Sequence, residues 1–121
     1  MEGLSVEQLL ERMTKELGAM PGPMKQLATL KPEMVFEHAR SKQFAFSGEA
    51  IPAKYKALIN VAVAAALGSR ECIVNQTRIA LGQGATGQEI VEALIAARFV
   101  KSSTIFSTAE DALALLGAGA D

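Results

Sequence analysis

The residue types and spacing best suited to chemistry lie in one short stretch, from Ser69 to Gln76. It contains Cys72, the only cysteine of the 121-residue chain. Ser69 is a good helix N-cap, which would place Cys72 at the third helical position, with its backbone N–H donating to the serine hydroxyl. The partial positive charge at a helix N-terminus favours a thiolate, and Arg70 brings a further positive charge. The spacing therefore predicts a reactive thiol. The alternative is a small buried hydrophobe, because free cysteine is among the most buried residue types.

Gln76 follows Cys72 by one helical turn and lies on the same helix face, since residues four apart are neighbours. Its amide can donate a hydrogen bond to a ligand carbonyl or accept one from a ligand donor. Ser69, Cys72 and Gln76 would then form a polar stripe that lines a binding pocket. The alternative is that these groups bond to one another or to backbone and bind no ligand.

His38 is the only histidine of the chain, and it lies in a polar stretch. We expect it at the surface, and it can serve as a base for Cys72 only if the fold or a neighbouring subunit brings the two together. One histidine and one distant cysteine lack the spacing of a metal site. We therefore expect no metal and no cofactor.

The elements that must position these residues are helices. No segment alternates with period two over more than a few residues, so we predict an all-α fold of six to seven helices without a sheet. The site would lie at the turn between a helix over 52–67 and a helix over 70–81, with Gly68 ending the first. Ser5 with Gln8, and Thr86 with Glu89, have the spacing of capping boxes.

The last helix is the least defined by its sequence pattern. Ser107 and Glu110 have the spacing of a further capping box, which predicts that a separate last helix begins there. One long helix from Ser103 is the alternative interpretation.

Composition limits the class of protein. The length suits a single domain over residues 1–121. A net charge of −1 argues against a nucleic-acid partner, and a lone cysteine excludes an internally disulfide-bonded scaffold. The N-terminal stretch lacks the features of a signal peptide and no apolar run is long enough to span a bilayer, so we expect a cytoplasmic protein without membrane contact. Because a small, alanine-rich helical chain often completes its burial by self-association, we also expect a homo-oligomer.

Residues 56–94 read KALINVAVAAALGSRECIVNQTRIALGQGATGQEIVEAL. This stretch resembles the carboxymuconolactone decarboxylase family, in its alkyl hydroperoxidase D-like branch, and TR-x-AL-x-x-GAT-x-x-EI is its most specific part. The resemblance implies an alkyl hydroperoxidase D-like helical bundle with a core over residues 20–116. It also implies that the two helices around the Gly68 turn form the active site and that the protein is an obligate homo-oligomer, often a trimer or hexamer.

The resemblance also implies specific site positions. Active members of the branch carry C-x-x-C-x-x-x-H with a glutamate upstream, and they reduce hydroperoxides through the two thiols. In this chain Cys72 matches the attacking cysteine, whereas Ser69, Gln76 and Ala57 replace the resolving cysteine, the histidine and the glutamate. Serine forms no disulfide, glutamine exchanges no proton near neutral pH, and alanine has no functional group. We therefore expect a thiol-dependent hydroperoxide reductase activity that is weak or lost, with an external thiol as reductant.

Two other functions remain open at this point. One is a non-catalytic oligomer on the same fold that binds a small molecule or acts as a scaffold. The other is a decarboxylase or lyase that uses other acid–base residues, for which Glu71, Glu89 and His38 are available. Whether the chain is an enzyme, acting on peroxide through a single cysteine, is thus left open by its sequence.

Overall fold

The structure is a computed structural model, and it describes residues 3–119. Within that range the chain forms seven α-helices and no strand, which confirms the predicted all-α fold of six to seven helices. The helices are α1 Val6–Leu17, α2 Gly22–Leu30, α3 Pro32–Ser47, α4 Ala53–Leu67, α5 Arg70–Gly82, α6 Gly87–Thr108 and α7 Glu110–Gly119. The single domain over residues 1–121 stays a prediction, and its first two and last two residues lie outside the described range.

Two of the three predicted capping boxes are present. The Ser5 hydroxyl accepts from the Gln8 N–H at 3.1 Å, and the Gln8 side chain accepts from the Ser5 N–H at 2.8 Å. Thr86 and Glu89 make the same reciprocal pair at 3.1 Å and 2.8 Å. Each box satisfies two backbone donors that a helix N-terminus leaves without intrahelical partners. The beginnings of α1 and α6 could therefore be predicted from residue type and spacing alone.

The core lies where α4 packs against α5 and α6, and α1 packs against α3 and α5. Small side chains at the centre let the helix backbones approach closely. The main core cluster consists of Ala57, Val61, Ile79, Ala80, Ala85 and Ile90. The helix that carries the lone cysteine therefore packs against both α4 and α1.

The predicted cap at Ser107 is wrong. Helix α6 continues through Thr108, and the break falls at Ala109, so a helix beginning at Ser103 is also not observed. The hydroxyl of Ser107 does not cap a new helix, because it donates back to the carbonyl oxygens of Ser103 and Thr104. Hydroxyl groups can bond to carbonyls one turn back inside a helix, and here they continue α6 through a stretch rich in serine and threonine.

Several apolar side chains remain at the surface of the single chain. They repeat every four residues along α4, at Tyr55, Ile59, Val63 and Leu67, and along α6, at Val91, Ile95 and Phe99. Residues with this spacing form one stripe on a helix. Among residues 3–119, no helix combines the length and the hydrophobicity that crossing a bilayer requires.

Candidate functional site

The turn between α4 and α5 is built from hydrogen bonds at the end of one helix and the beginning of the next. Gly68 has φ 72°, the left-handed conformation that glycine adopts without a steric penalty. Its N–H donates to the Ala65 carbonyl at 3.0 Å, and the N–H of Ser69 donates to the Ala64 carbonyl at 3.2 Å. This is the Schellman arrangement, in which the last free carbonyls of a helix find partners. It delivers Ser69 directly to the N-cap position of α5.

A hydrogen bond from another helix, α6, also stabilises this turn. The Lys101 ammonium, on α6, donates to the Ala66 carbonyl oxygen at 2.7 Å. A cation at the last turn of a helix bonds to a carbonyl without an intrahelical partner and interacts favourably with the helix dipole. Helix α6 therefore fixes the end of α4 immediately before Gly68.

Cys72 lies where its sequence spacing predicts. Its backbone N–H donates to the Ser69 hydroxyl at 3.4 Å, a long hydrogen bond. The side chain is exposed, so the alternative of a buried hydrophobic cysteine does not hold in the single chain. Its neighbours Arg70 and Glu71 are exposed as well. The thiol is thus accessible at the N-terminus of a helix, and its reactivity stays a prediction.

Gln76 is partly buried one turn further along α5. Its Oε1 is shielded from solvent and has no hydrogen-bond partner among the described residues. A buried acceptor without a partner costs about 1–3 kcal/mol, and such groups are uncommon enough to call for an explanation. The glutamine oxygen therefore does not bond to Ser69 or Cys72, as a self-contained polar stripe would require.

Ala57 is completely buried in the core cluster, together with Ile79 and Ala80 of α5. A larger, charged side chain at this position would need both space and a partner. Ala57 is thus part of the packing between α4 and α5, whereas Cys72 is open to solvent.

The acid–base groups considered for a decarboxylase are not brought together. His38 is exposed on α3, and Glu71 is exposed at the beginning of α5. Glu89 already bonds to the Thr86 N–H and forms an ion pair with Lys54 at 2.9 Å. Within residues 3–119, no group of three histidine, cysteine, aspartate or glutamate side chains is placed to hold a metal ion.

One feature of the structure was not predicted from the sequence. A cavity of about 320 Å³ lies between α1, α3 and α5. Its walls combine residues far apart in sequence, among them Arg12, Lys42 and Ile79. Each of these fits the pattern of its own helix, so only the packing of the three helices reveals that they share one space.

Two comparisons with known proteins cover most of the chain. A model of the carboxymuconolactone decarboxylase family matches residues 35–115. The crystal structure of a candidate carboxymuconolactone decarboxylase from Burkholderia xenovorans LB400 is similar, with a TM-score of 0.66 and 27% sequence identity over 90% of this chain and 93% of that one. No protein of curated function matches significantly. The family match spans well over half of the sequence and the structural similarity spans nearly all of it, so this chain belongs to the carboxymuconolactone decarboxylase family.

Proposed function

We propose that this protein is an alkyl hydroperoxidase D-like member of its family that reduces hydroperoxides slowly, through Cys72 alone. The observation that carries the proposal is the exposed Cys72 thiol in the first turn of α5. In the proposal, Ser69, Gln76 and Ala57 occupy the positions of the family's resolving cysteine, histidine and glutamate. The site is then reduced from a dithiol with a proton relay to a single thiol.

The chemistry of a single thiol is complete when a second thiol comes from solution. The Cys72 thiolate attacks one oxygen of the hydroperoxide, the O–O bond breaks, and the leaving alkoxide takes a proton to become an alcohol. The Cys72 sulfenic acid then condenses with an external thiol, which forms a mixed disulfide and releases water. A second external thiol attacks that disulfide, regenerates Cys72 and leaves as an external disulfide.

The absence of a proton relay sets the expected rate. General acid–base catalysis typically contributes about 10²- to 10⁴-fold. Neither the Gln76 amide nor the Ala57 methyl group can supply it near neutral pH. We therefore expect turnover only modestly faster than that of a free thiol, with the N-terminal end of α5 as the main source of activation.

The test is peroxide consumption with dithiothreitol as reductant, in the wild-type protein and in Cys72→Ser. The wild type should be measurably faster than Cys72→Ser, whose rate should equal that of dithiothreitol alone. Equal rates in the two proteins would overturn the proposal.

A double substitution that should increase activity tests which residues occupy the family's catalytic positions. Ser69→Cys combined with Gln76→His should raise the rate by at least about tenfold, because it restores a resolving thiol and a base. Ala57 is left unchanged, since a glutamate there would bury a carboxylate in the core. The matched control, Ser41→Cys with Gln26→His, adds the same groups on α3 and α2, outside the two helices that form the turn, and should leave the rate unchanged. If the control gains as much as the site pair, the positions have been wrongly matched.

A non-catalytic binding protein on the same fold is the second candidate. The buried Gln76 oxygen favours it, because an acceptor without a protein partner is available to a bound donor. This candidate predicts that peroxide consumption is the same with and without the Cys72 thiol, so the first experiment separates the two functions.

A further inference from the structure

The cavity between α1, α3 and α5 has the composition of a ligand site. Its volume of about 320 Å³ is at the small end of the range for small-molecule pockets. Part of its lining is apolar and consists of Leu9, Met13, Phe46 and Ile79. Leu9 and Ile79 are buried, and Met13 and Phe46 are partly buried, so these side chains are largely shielded from solvent. A pocket of this kind prefers a ligand with an apolar body.

The lining also carries charge. Arg12 and Glu16 come from α1, and Lys42 comes from α3. Lys42 forms an ion pair with Glu16, with the two side chains 34% and 40% exposed. Two cations therefore face one carboxylate, and the cavity carries one positive charge in excess.

The excess positive charge of the cavity is destabilised by its surroundings. Burial lowers the pKa of Lys42, and the positive charge of Arg12 lowers it further. Like charges that share a partly buried space repel each other more strongly than in water. An anion that enters the cavity would relieve this repulsion and would accept hydrogen bonds from both side chains.

We propose that this cavity binds a small organic monocarboxylate. The carboxylate lies between Arg12 and Lys42, and the apolar body lies against Met13, Phe46 and Ile79. At about 30 Å³ for each water-sized group, the cavity has room for on the order of ten non-hydrogen atoms. A medium-chain fatty acid such as octanoate has this size and amphipathic character. The site is separate from Cys72 and does not depend on the peroxidase proposal.

Part of this site lies outside the residues that the family model matches. The family match begins at residue 35, whereas Leu9, Arg12, Met13 and Glu16 belong to α1. The first helix packs against α3 and α5 and supplies one of the two cations. The N-terminal segment is therefore needed to complete the monocarboxylate site.

The experiment uses octanoate as the probe, with isothermal titration calorimetry and amide chemical shifts on the full chain. Octanoate should bind, whereas 1-octanol and octylamine, with the same apolar body, should bind at least about tenfold more weakly. Amide shifts should be confined to α1, α3 and α5. No binding of octanoate, or equal binding of the alcohol, would overturn the proposal.

Three variants locate the site. Arg12→Gln and Lys42→Met should each weaken octanoate binding at least about tenfold, because each removes a charged hydrogen-bond donor. Ala39→Leu, which fills the cavity without changing its charge, should abolish binding. Lys15→Met is the matched control, since it removes a cation from α1 that does not line the cavity. Affinity that is unchanged in both charge variants, or reduced equally in the control, would contradict the assignment.

Discussion

Glu89 makes two different contacts at the beginning of α6. One carboxylate oxygen accepts the Thr86 N–H at 2.8 Å, and the other lies 2.9 Å from the Lys54 ammonium on α4. The hydrogen bond from Thr86 lowers the pKa of Glu89 most, and the hydrogen bond from Lys54 lowers it further. The same pair raises the pKa of Lys54. A single side chain thus caps one helix and ties it to another.

The sign of the pH effect follows from that shift. Because the pKa of Glu89 is lower in the folded than in the unfolded protein, its contribution is present above the unfolded value and is lost as pH falls through the folded value. Glu89→Gln should lower the melting temperature at pH 7, and the difference from wild type should disappear in acid. Glutamine can still accept the capping hydrogen bond, so the variant removes the negative charge and keeps the capping box.

Differential scanning calorimetry between pH 2.5 and 7 measures this difference. Glu92→Gln is the control, since Glu92 is exposed one turn further along α6. A Glu89→Gln effect that stays constant across the whole pH range would show that lost packing, and not lost charge, is responsible.

At this scale the sequence was informative where the interaction is local. The Ser69–Cys72 and Thr86–Glu89 bonds join residues three apart, so residue type and spacing were enough to predict them. The burial of Ala57 and of the Gln76 oxygen depends on how α4 meets α5, which no spacing within one helix contains.

At the scale of elements, the end of α1 shows how one helix restricts another. Gly18 ends α1 with φ 80°, and its N–H donates to the Thr14 carbonyl at 2.8 Å. A β-carbon at residue 18 would lie 2.7 Å from Nη1 of Arg78, on α5. The guanidinium thus rests against the bare α-carbon of the glycine, and this contact brings α1 close to α5.

Gly18→Ala should therefore destabilise the protein by at least about 1 kcal/mol, the cost of a left-handed conformation for an L-residue. Arg78 must also move away. Gly82→Ala is the matched control, because Gly82 is helical and a β-carbon there meets no neighbouring atom. It should be neutral or stabilising by up to about 1 kcal/mol. Urea denaturation measures both variants, and an equal effect at the two positions would contradict the interpretation of Gly18.

Helix beginnings and ends were more predictable than helix length. Ser5, Gly18, Gly68 and Thr86 mark boundaries because each satisfies backbone groups that a helix leaves free. The extent of α6 was not predictable in the same way. Serine and threonine hydroxyls can cap a new helix or bond back within an existing one, and here they bond back.

At the scale of the whole molecule, the chain exposes more surface than a folded monomer of its size normally does. Its accessible surface is 8778 Å² at 12.8 kDa. Monomeric proteins of this mass expose about 6,300 Å², which leaves an excess of roughly 2,500 Å². A standard interface buries about 800 Å² on each partner. We propose that further copies of this chain cover the excess, and that the exposed apolar stripe of α4 is part of the interface.

Ile59→Glu tests this proposal, because it places a charge in the middle of the α4 stripe, where the side chain is 49% exposed. Sedimentation velocity should show a homo-oligomer for the wild type and a smaller species for the variant. Leu30→Glu is the control, since Leu30 is 79% exposed at the end of α2 and lies outside the stripe. A wild-type protein that is monomeric at about 100 μM would contradict the proposal, as would an equal effect of the control.

The lone Cys72 also has a practical consequence. A maleimide or methanethiosulfonate probe added to the unaltered protein attaches at one position, on the first turn of a helix whose beginning is held by the Gly68 turn and by Lys101. If several copies associate, a spin label on each Cys72 would allow the distances between the copies to be measured by pulsed electron paramagnetic resonance. The residue that carries the proposed chemistry is thus also a native labelling site from which the arrangement of the subunits can be measured.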